Sequence, residues 1–244
     1  NNGKDRTAVC CLSSLNLDTY DEWKDNSQFV EDVMRFLDNV MTDFINRAPD
    51  EFANAKYSAF RERSVGLGVM GLHSYFQQKS IPFGSVMSKV WNKKVFKNIQ
   101  EKVDAASVAL AEERGACPDA EEYGIKERFS NKTAIAPTAS ISIICGGSSP
   151  GIEPIAANSF THKTLSGSFN VRNKYLKKIL KKYEKDTDEV WSTITTNQGS
   201  VSHLDFLTAE EKDTFKTAFE IDQRWIIELG ADRTPHISQA QSIN

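Results

Sequence analysis

Short apolar segments of strand character alternate along this chain with long amphipathic segments of helical character, and that alternation limits the fold more than any single motif does. Residues 7–17 (TAVCCLSSLNL) and 132–136 (KTAIA) read as short strands, the first running into a polar turn and the charged connector 18–26. Ser27 reads as a helix N-cap, because Phe29, Val30, Val33, Phe36, Leu37, Val40, Met41, Phe44 and Ile45 follow at the spacing of one helix face. Residues 63–78 read as a glycine-punctuated turn entering an apolar-faced helix that Pro82-Phe83-Gly84 ends. Residues 86–113 read as a long helix with Val90, Val95, Ile99, Val103, Val108 and Leu110 inward and Arg114-Gly115 as its stop. Strands joined by helices of this length predict an α/β fold of parallel strands and crossovers, because a parallel pair needs a long connection.

The C-terminal half continues the pattern. Residues 137–145 read as a turn opening into a helix, 152–163 as extended chain, and 171–183 as a basic helix with Val171, Tyr175, Leu176, Ile179 and Leu180 on one face. The lysines of that helix read as its solvated side. Thr208 with Glu211 forms a capping-box pair ahead of Phe215, Ala218, Phe219, Ile221, Trp225, Ile226 and Leu229, the apolar face of a last helix.

The 244 residues suffice for one substantial domain, and no internal repeat divides them. A net charge of -3, with acids interspersed among the lysines and arginines, supplies no basic face, so nucleic acid is not an expected partner. No apolar run approaches the roughly 20 residues that span a bilayer, and no signal peptide is recognisable, so no membrane association and a cytoplasmic location are expected. Cys10, Cys11, Cys117 and Cys145 match neither a zinc pattern nor a disulfide framework and are expected to be reduced thiols. His73, His162, His203 and His236 have no metal-ligand spacing and read as structural, so no metal site is expected.

Two segments have the residue types for chemistry. A strand followed by Pro137-Thr138-Ala139-Ser140-Ile141-Ser142 gathers unpaired N–H groups and hydroxyls around one point, where the helix dipole also favours an anion such as phosphate. The same residues also suit an ordinary Ser/Thr-capped helix with proline near its first turn. Cys10 and Cys11 are adjacent, so on a strand they face opposite ways and at most one looks into a given pocket. Either can equally serve as a small packing residue. Gly66-Leu67-Gly68-Val69-Met70-Gly71 lacks the preceding strand and following acid of a dinucleotide loop, which leaves close helix packing as the reading of its glycines.

Taken together, TAVCCLSSLNL (7–17), RSVGLGVMGL (63–72), EERGACP (112–118), IAPTASIS (135–142), GIEP (151–154) and QAQSIN (239–244) resemble the large-subunit barrel of ribonucleotide reductases, in the family's order and over essentially the whole chain. The resemblance implies one domain over residues 1–244, part of a ten-stranded α/β barrel with long amphipathic helices. In that family a thiyl radical abstracts the ribose 3′ hydrogen and two further cysteines supply reducing equivalents. Cys10 matches one of those redox cysteines, and Cys11 falls on a variable position. Pro137, Thr138, Ala139, Ser140 and Ile141 match the segment that holds the substrate diphosphate.

The family's Asn-x-Cys-x-Glu loop, second redox cysteine, radical-relay tyrosines, cysteine-bearing tail and N-terminal ATP domain have no match here. A fragment or split-gene product, inactive as an isolated chain, is therefore expected. The implied partners are a ribonucleoside diphosphate, the remainder of the large subunit, a radical-generating small subunit, and thioredoxin or glutaredoxin. No cofactor is expected on this segment: the radical would come from a metal-containing small subunit, or from adenosylcobalamin in the alternative class, and ATP or dNTP effectors would bind elsewhere. A non-catalytic phosphate-binding or assembly module is the other reading.

Overall fold

The computed structural model describes residues 4–164 and 167–243, with the side chains of 162–164 excepted. The structural reading of His162 and the terminal Asn244 of the QAQSIN segment therefore lie outside the described groups.

In chain order the elements are β1 (Leu12–Asn16), α1 (Tyr20–Trp23), α2 (Ser27–Arg47), α3 (Ala53–Glu62), β2 (Gly66–Met70), α4 (Leu72–Gln78), α5 (Val86–Arg114), α6 (Pro118–Glu121) and α7 (Ile141–Ile144). They continue with β3 (Ser159–Thr164), β4 (Gly167–Arg172), α8 (Lys174–Lys182), α9 (Asp188–Thr196), α10 (Ala209–Thr214) and α11 (Arg224–Arg233).

β1 pairs with β2 in parallel, Leu12 opposite Gly66 through Asn16 opposite Met70. Parallel bridges extend the array from Leu67 to Thr133 and from Ile135 to Gln241. Four segments thus run side by side, with α2 and α3 in one crossover and α4 and α5 in the next, which is the α/β arrangement the alternation predicts. The ten-stranded closure implied by the resemblance is not reached within them.

The stretch 63–78 differs from its prediction. Residues 66–70 are a buried strand, and only 72–78 are helix. The glycines serve the approach of one backbone to another: a Cβ on Gly68 would lie 2.2 Å from the Ala134 carbonyl oxygen, and one on Gly66 would lie 2.9 Å from the Ala134 Cβ. The segment after Thr133 crosses this face, so only side-chain-free residues leave it room.

A large core lies between the parallel segments and the helices, and includes Leu15, Leu37, Leu67, Val69, Phe76, Val95, Ile99 and Leu229. At its edge Asp38 of α2 is fully buried and receives Nε of Arg63 at 2.8 Å, Nη1 of Arg114 at 2.8 Å and Nε of Arg128 at 2.9 Å. Burial acts to push the Asp38 carboxyl up, but the bonds from Arg128 and Arg114 and the charge of Arg63 outweigh it, and the group is held below its ordinary value. One carboxylate thereby fastens α2 to the ends of α3 and α5 and to the approach to Thr133.

A second, smaller core gathers Tyr175, Leu176, Leu180, Trp191, Ile194, Val201, Leu204, Leu207 and Phe215 under the antiparallel β3–β4 hairpin. Two helices here depart from their predicted limits. Val171 belongs to β4, and Asn173 caps α8 through bonds from the Tyr175 and Leu176 N–H groups. The capping box at Thr208 and Glu211 is present with both reciprocal bonds, yet α10 ends at Thr214 and the chain turns before α11 begins.

Candidate functional site

Cys10 is exposed immediately before β1, while Cys11 is half-buried against the large core. The Cys11 Sγ lies 4.0 Å from the Leu37 carbonyl oxygen, and burial, followed by the neighbouring Cys10, pushes its thiol up. The Gly66 N–H donates to the Cys11 carbonyl at 2.9 Å, so the strand geometry that separates the two side chains already holds there. Cys117 is buried and Cys145 exposed; all four cysteines are free thiols.

The other end of β1 meets the 137–151 loop. Asn16 Nδ2 donates to the Cys145 carbonyl at 3.0 Å, and Asn16 Oδ1 accepts from the Asp18 N–H at 3.0 Å and from the Ser148 hydroxyl at 3.1 Å. Ser148 Oγ also lies 2.6 Å from Asp18 Oδ2, which pairs in turn with the Lys174 ammonium. The same ammonium donates to the Gly146 carbonyl at 3.1 Å. Asp18 is buried, and its Oδ1 has no hydrogen-bond partner.

The loop itself is tightly held. Thr138 is buried with φ at +53°, a conformation uncommon outside glycine, and its Oγ1 accepts the Gly151 N–H at 2.7 Å. Gly151 has φ at +47°, and a Cβ there would lie 3.0 Å from the Ala136 carbonyl oxygen, so the glycine of GIEP is required by this contact. Ser149 docks on the start of α4: its N–H donates to Ser74 Oγ at 2.8 Å, and its Oγ accepts the Ser74 N–H at 3.1 Å. The Gly71 N–H adds a bond to the Ser149 carbonyl at 2.8 Å.

Pro137, Ala139, Ser140 and Ile141 are exposed around this anchored turn. The predicted helix there is a single turn, α7, whose Ser142 N–H closes onto the Thr138 carbonyl at 3.0 Å. The N–H groups of Ala139, Ser140 and Ile141 precede that first bond, so they are the unpaired donors of the turn. Ser140 precedes α7 without a side-chain cap bond, which leaves its hydroxyl out of the capping role that would explain it as purely structural.

The structure therefore gathers Asn16, Asp18, Ser148 and Lys174 at residues 145–148 of the loop, one helical turn beyond residues 138–141. It does not bring Cys10 to them, since Asn16 lies roughly 20 Å further along the extended chain at the strand rise. Asn16 lies within the CCLSSLNL motif but is not among the residues singled out by sequence, and neither are Asp18, Ser148 and Lys174. The local signals for them are the Asn16 of that motif and the Ser148-Ser149-Pro150-Gly151 turn; their convergence depends on long-range folding.

A cavity of about 250 Å³ opens between this loop, α4, the hairpin and the start of α8. His73 lies deep beside it, fully buried. Its Nδ1 accepts the Ile155 N–H at 3.0 Å, and burial, opposed only by a backbone bond to Thr214, lowers its pKa to about 3. Among the described residues no group of three His, Cys, Asp or Glu side chains is gathered as metal ligands would be, and no helix is long and apolar enough to cross a membrane.

The profile of the ribonucleotide reductase barrel domain matches residues 1–127 and 119–244. A ribonucleoside-diphosphate reductase large subunit of Invertebrate iridescent virus 6 is 50% identical over 243 residues, covering 98% of this chain and 25% of the viral protein. The large subunit of Caenorhabditis elegans is 30% identical over 274 residues, covering 98% of this chain and 34% of the nematode protein. The Actinobacillus ureae class Id ribonucleotide reductase alpha subunit superposes with a TM-score of 0.90 at 41% identity, covering 98% of this chain and 44% of that one.

Proposed function

The chain belongs to the ribonucleotide reductase family, matching its barrel domain along its length, and from this premise we propose that it forms the part of a ribonucleoside-diphosphate reductase large subunit that holds one redox cysteine and the substrate-diphosphate loop. The chain spans between 25% and 44% of the relatives named above, so the complete reaction is assigned to an assembly with the remaining large-subunit regions. Residues 1–244 act in it as one partial barrel domain, whose parallel segments join others to complete the ten strands.

In this assignment Cys10 is the redox cysteine. It gives up its thiol hydrogen as it joins a second cysteine, supplied by another region, in a disulfide when the ribose 2′-hydroxyl leaves as water. Thioredoxin or glutaredoxin then restores the thiols. The observation that carries the choice is the division of the Cys10–Cys11 pair: Cys10 is exposed, whereas Cys11 is packed against the core with its thiol pushed up, which disfavours the thiolate needed for exchange. Pro137 to Ile141 hold the diphosphate through the unpaired N–H groups of Ala139, Ser140 and Ile141. The radical comes from a metal-containing small subunit. The diphosphate-reductase names of the relatives and the class Id name of the solved neighbour support this over the adenosylcobalamin-dependent class.

The test is reconstitution. The chain is mixed with a polypeptide supplying the remaining large-subunit regions and with a radical-bearing small subunit, and deoxyribonucleoside diphosphate formation is measured. Turnover with thioredoxin is expected for the intact chain and its loss for Cys10→Ser. An active Cys10→Ser mixture would overturn the cysteine assignment, and an inactive intact mixture would leave the non-catalytic phosphate-binding module as the better reading.

A further inference from the structure

The approximately 250 Å³ cavity beside the loop is lined mostly by apolar side chains, with two cations, Arg172 and Lys174, and no carboxylate among its lining residues. Both cations come from the junction of β4 and α8 and line the cavity together with Ala139, Ser142 and Ile143. Lys174 is held where it is by Asp18 on one side and the Gly146 carbonyl on the other. An ammonium has three donors, and these two partners take two of them. Arg172 is paired at 2.7 Å with Asp188, whose side chain is almost wholly exposed, and a pair of that kind is worth little in water. Each cation thus keeps donor capacity for an anion, and the low-dielectric walls strengthen its field.

We propose that Lys174, oriented by Asp18 and assisted by Arg172, is an anion-binding residue of this cavity and contacts the terminal phosphate of the ligand held by residues 138–141. The proposal rests on the diphosphate reading of the loop and adds to it a wall contributed by the second core. A cavity of this size falls just below the roughly 300–1,000 Å³ typical of whole small-molecule sites, so it suits a diphosphate group with the rest of the ligand outside. Asp18 is then a positioning residue with a cost: it aims the ammonium but also places a negative charge behind it.

That cost separates a ligand role from a purely structural latch, because the two predict opposite signs for one substitution. Inorganic pyrophosphate, CDP and cytidine are titrated calorimetrically into the 244-residue chain, with circular dichroism and thermal melting as the check on folding. Pyrophosphate and CDP are expected to bind and cytidine not to. Lys174→Met is expected to weaken both by about tenfold, the loss of one charge-assisted contact. Asp18→Asn keeps the shape and removes the opposing charge, so it is expected to tighten binding several-fold. If Asp18→Asn weakens binding as Lys174→Met does, the pair is a latch and the proposal fails. It also fails if Lys174→Met binds like the parent chain.

Ser140→Glu puts a carboxylate on the loop and tests the underlying reading separately. Binding lost in Ser140→Glu but kept in Lys174→Met would retain the loop and reject the lysine. The reverse would retain the lysine and reject the loop. A parent chain that binds neither anion would reject both. Binding of pyrophosphate with no added affinity for CDP would assign the site to free phosphoanions rather than to the nucleotide.

Discussion

At Gly68 a single hydrogen in place of a side chain lets the segment after Thr133 cross β2, with only 2.2 Å between an ideal Cβ and the Ala134 carbonyl oxygen. Backbone, unlike the end of a flexible side chain, has little room to give. Gly68→Ala is therefore expected to cost about 3 kcal/mol or more, read as a lowered urea midpoint with an unchanged slope. A loss under about 0.5 kcal/mol would show that the crossing is not tight. Gly66 and Gly68 read in sequence as close helix packing, but they lie on a strand beneath a crossing backbone, which the sequence could not show because Ala134 is remote in it. Thr138 is a similar case: its hydroxyl is readable as a phosphate or capping group, and only the fold shows that its oxygen also accepts the Gly151 N–H, which leaves the O–H to donate. Cys10 and Cys11 were readable as facing opposite ways. Which of them faces the core was not.

Among the elements, α2 and α5 follow the apolar periodicity closely, while their faces were drawn too wide. Phe36 on α2 is 61% exposed, and Val90 and Val108 on α5 are 51% and 41% exposed. Asp38 is fully buried on α2 instead, which an apolar pattern would never select, because its cost is offset by three arginines that arrive from elsewhere. The start of α2 also moves by one residue, since the Asn26 side chain rather than that of Ser27 accepts the Phe29 N–H.

α4 carries the residue that ties the two cores together: His73 accepts from Ile155 and faces the Thr214 backbone. An unfolded chain takes up a proton on this histidine near pH 6.5, whereas the folded one does so only near pH 3. Between those values the unfolded state binds more protons. The contribution of His73 is therefore whole above about pH 6.5 and shrinks as pH falls, by roughly 1.4 kcal/mol per pH unit until about pH 3. Stability measured by urea from pH 6.5 to 4.5, above the main carboxylate range, is expected to decline more steeply for the parent chain than for His73→Gln. Parallel slopes would mean that the histidine is protonated in the fold.

At the scale of the whole molecule, the polar bridges between the two cores include, among the described residues, His73 to Ile155, Asn173 to Gln77 at 2.9 Å and Lys174 to Asp18. Such a junction predicts partly separate cooperativity. Leu180→Ala, at a fully buried position of the smaller core, is expected to cost about 2–5 kcal/mol. Hydrogen exchange should quicken in α8 and α9 while α2 and α5 keep their protection. Uniform acceleration would show instead that the two cores unfold as one.

The sequence by itself determined the α/β class, the two long helices, the capping box at Thr208, the opposed orientation of the adjacent cysteines and the family. All of these are written in local spacing or in short contiguous motifs. The tertiary structure decided which residues meet the 137–151 loop: Asn16, Asp18 and Lys174 converge on its 145–148 stretch from distant parts of the chain. It also decided that 66–70 is a strand and that the last helical stretch breaks at Thr214. The physical reason is common to these cases. Local propensity sets what a segment can do, whereas close backbone approach, burial of charge and pairing across a cavity depend on which distant segment arrives.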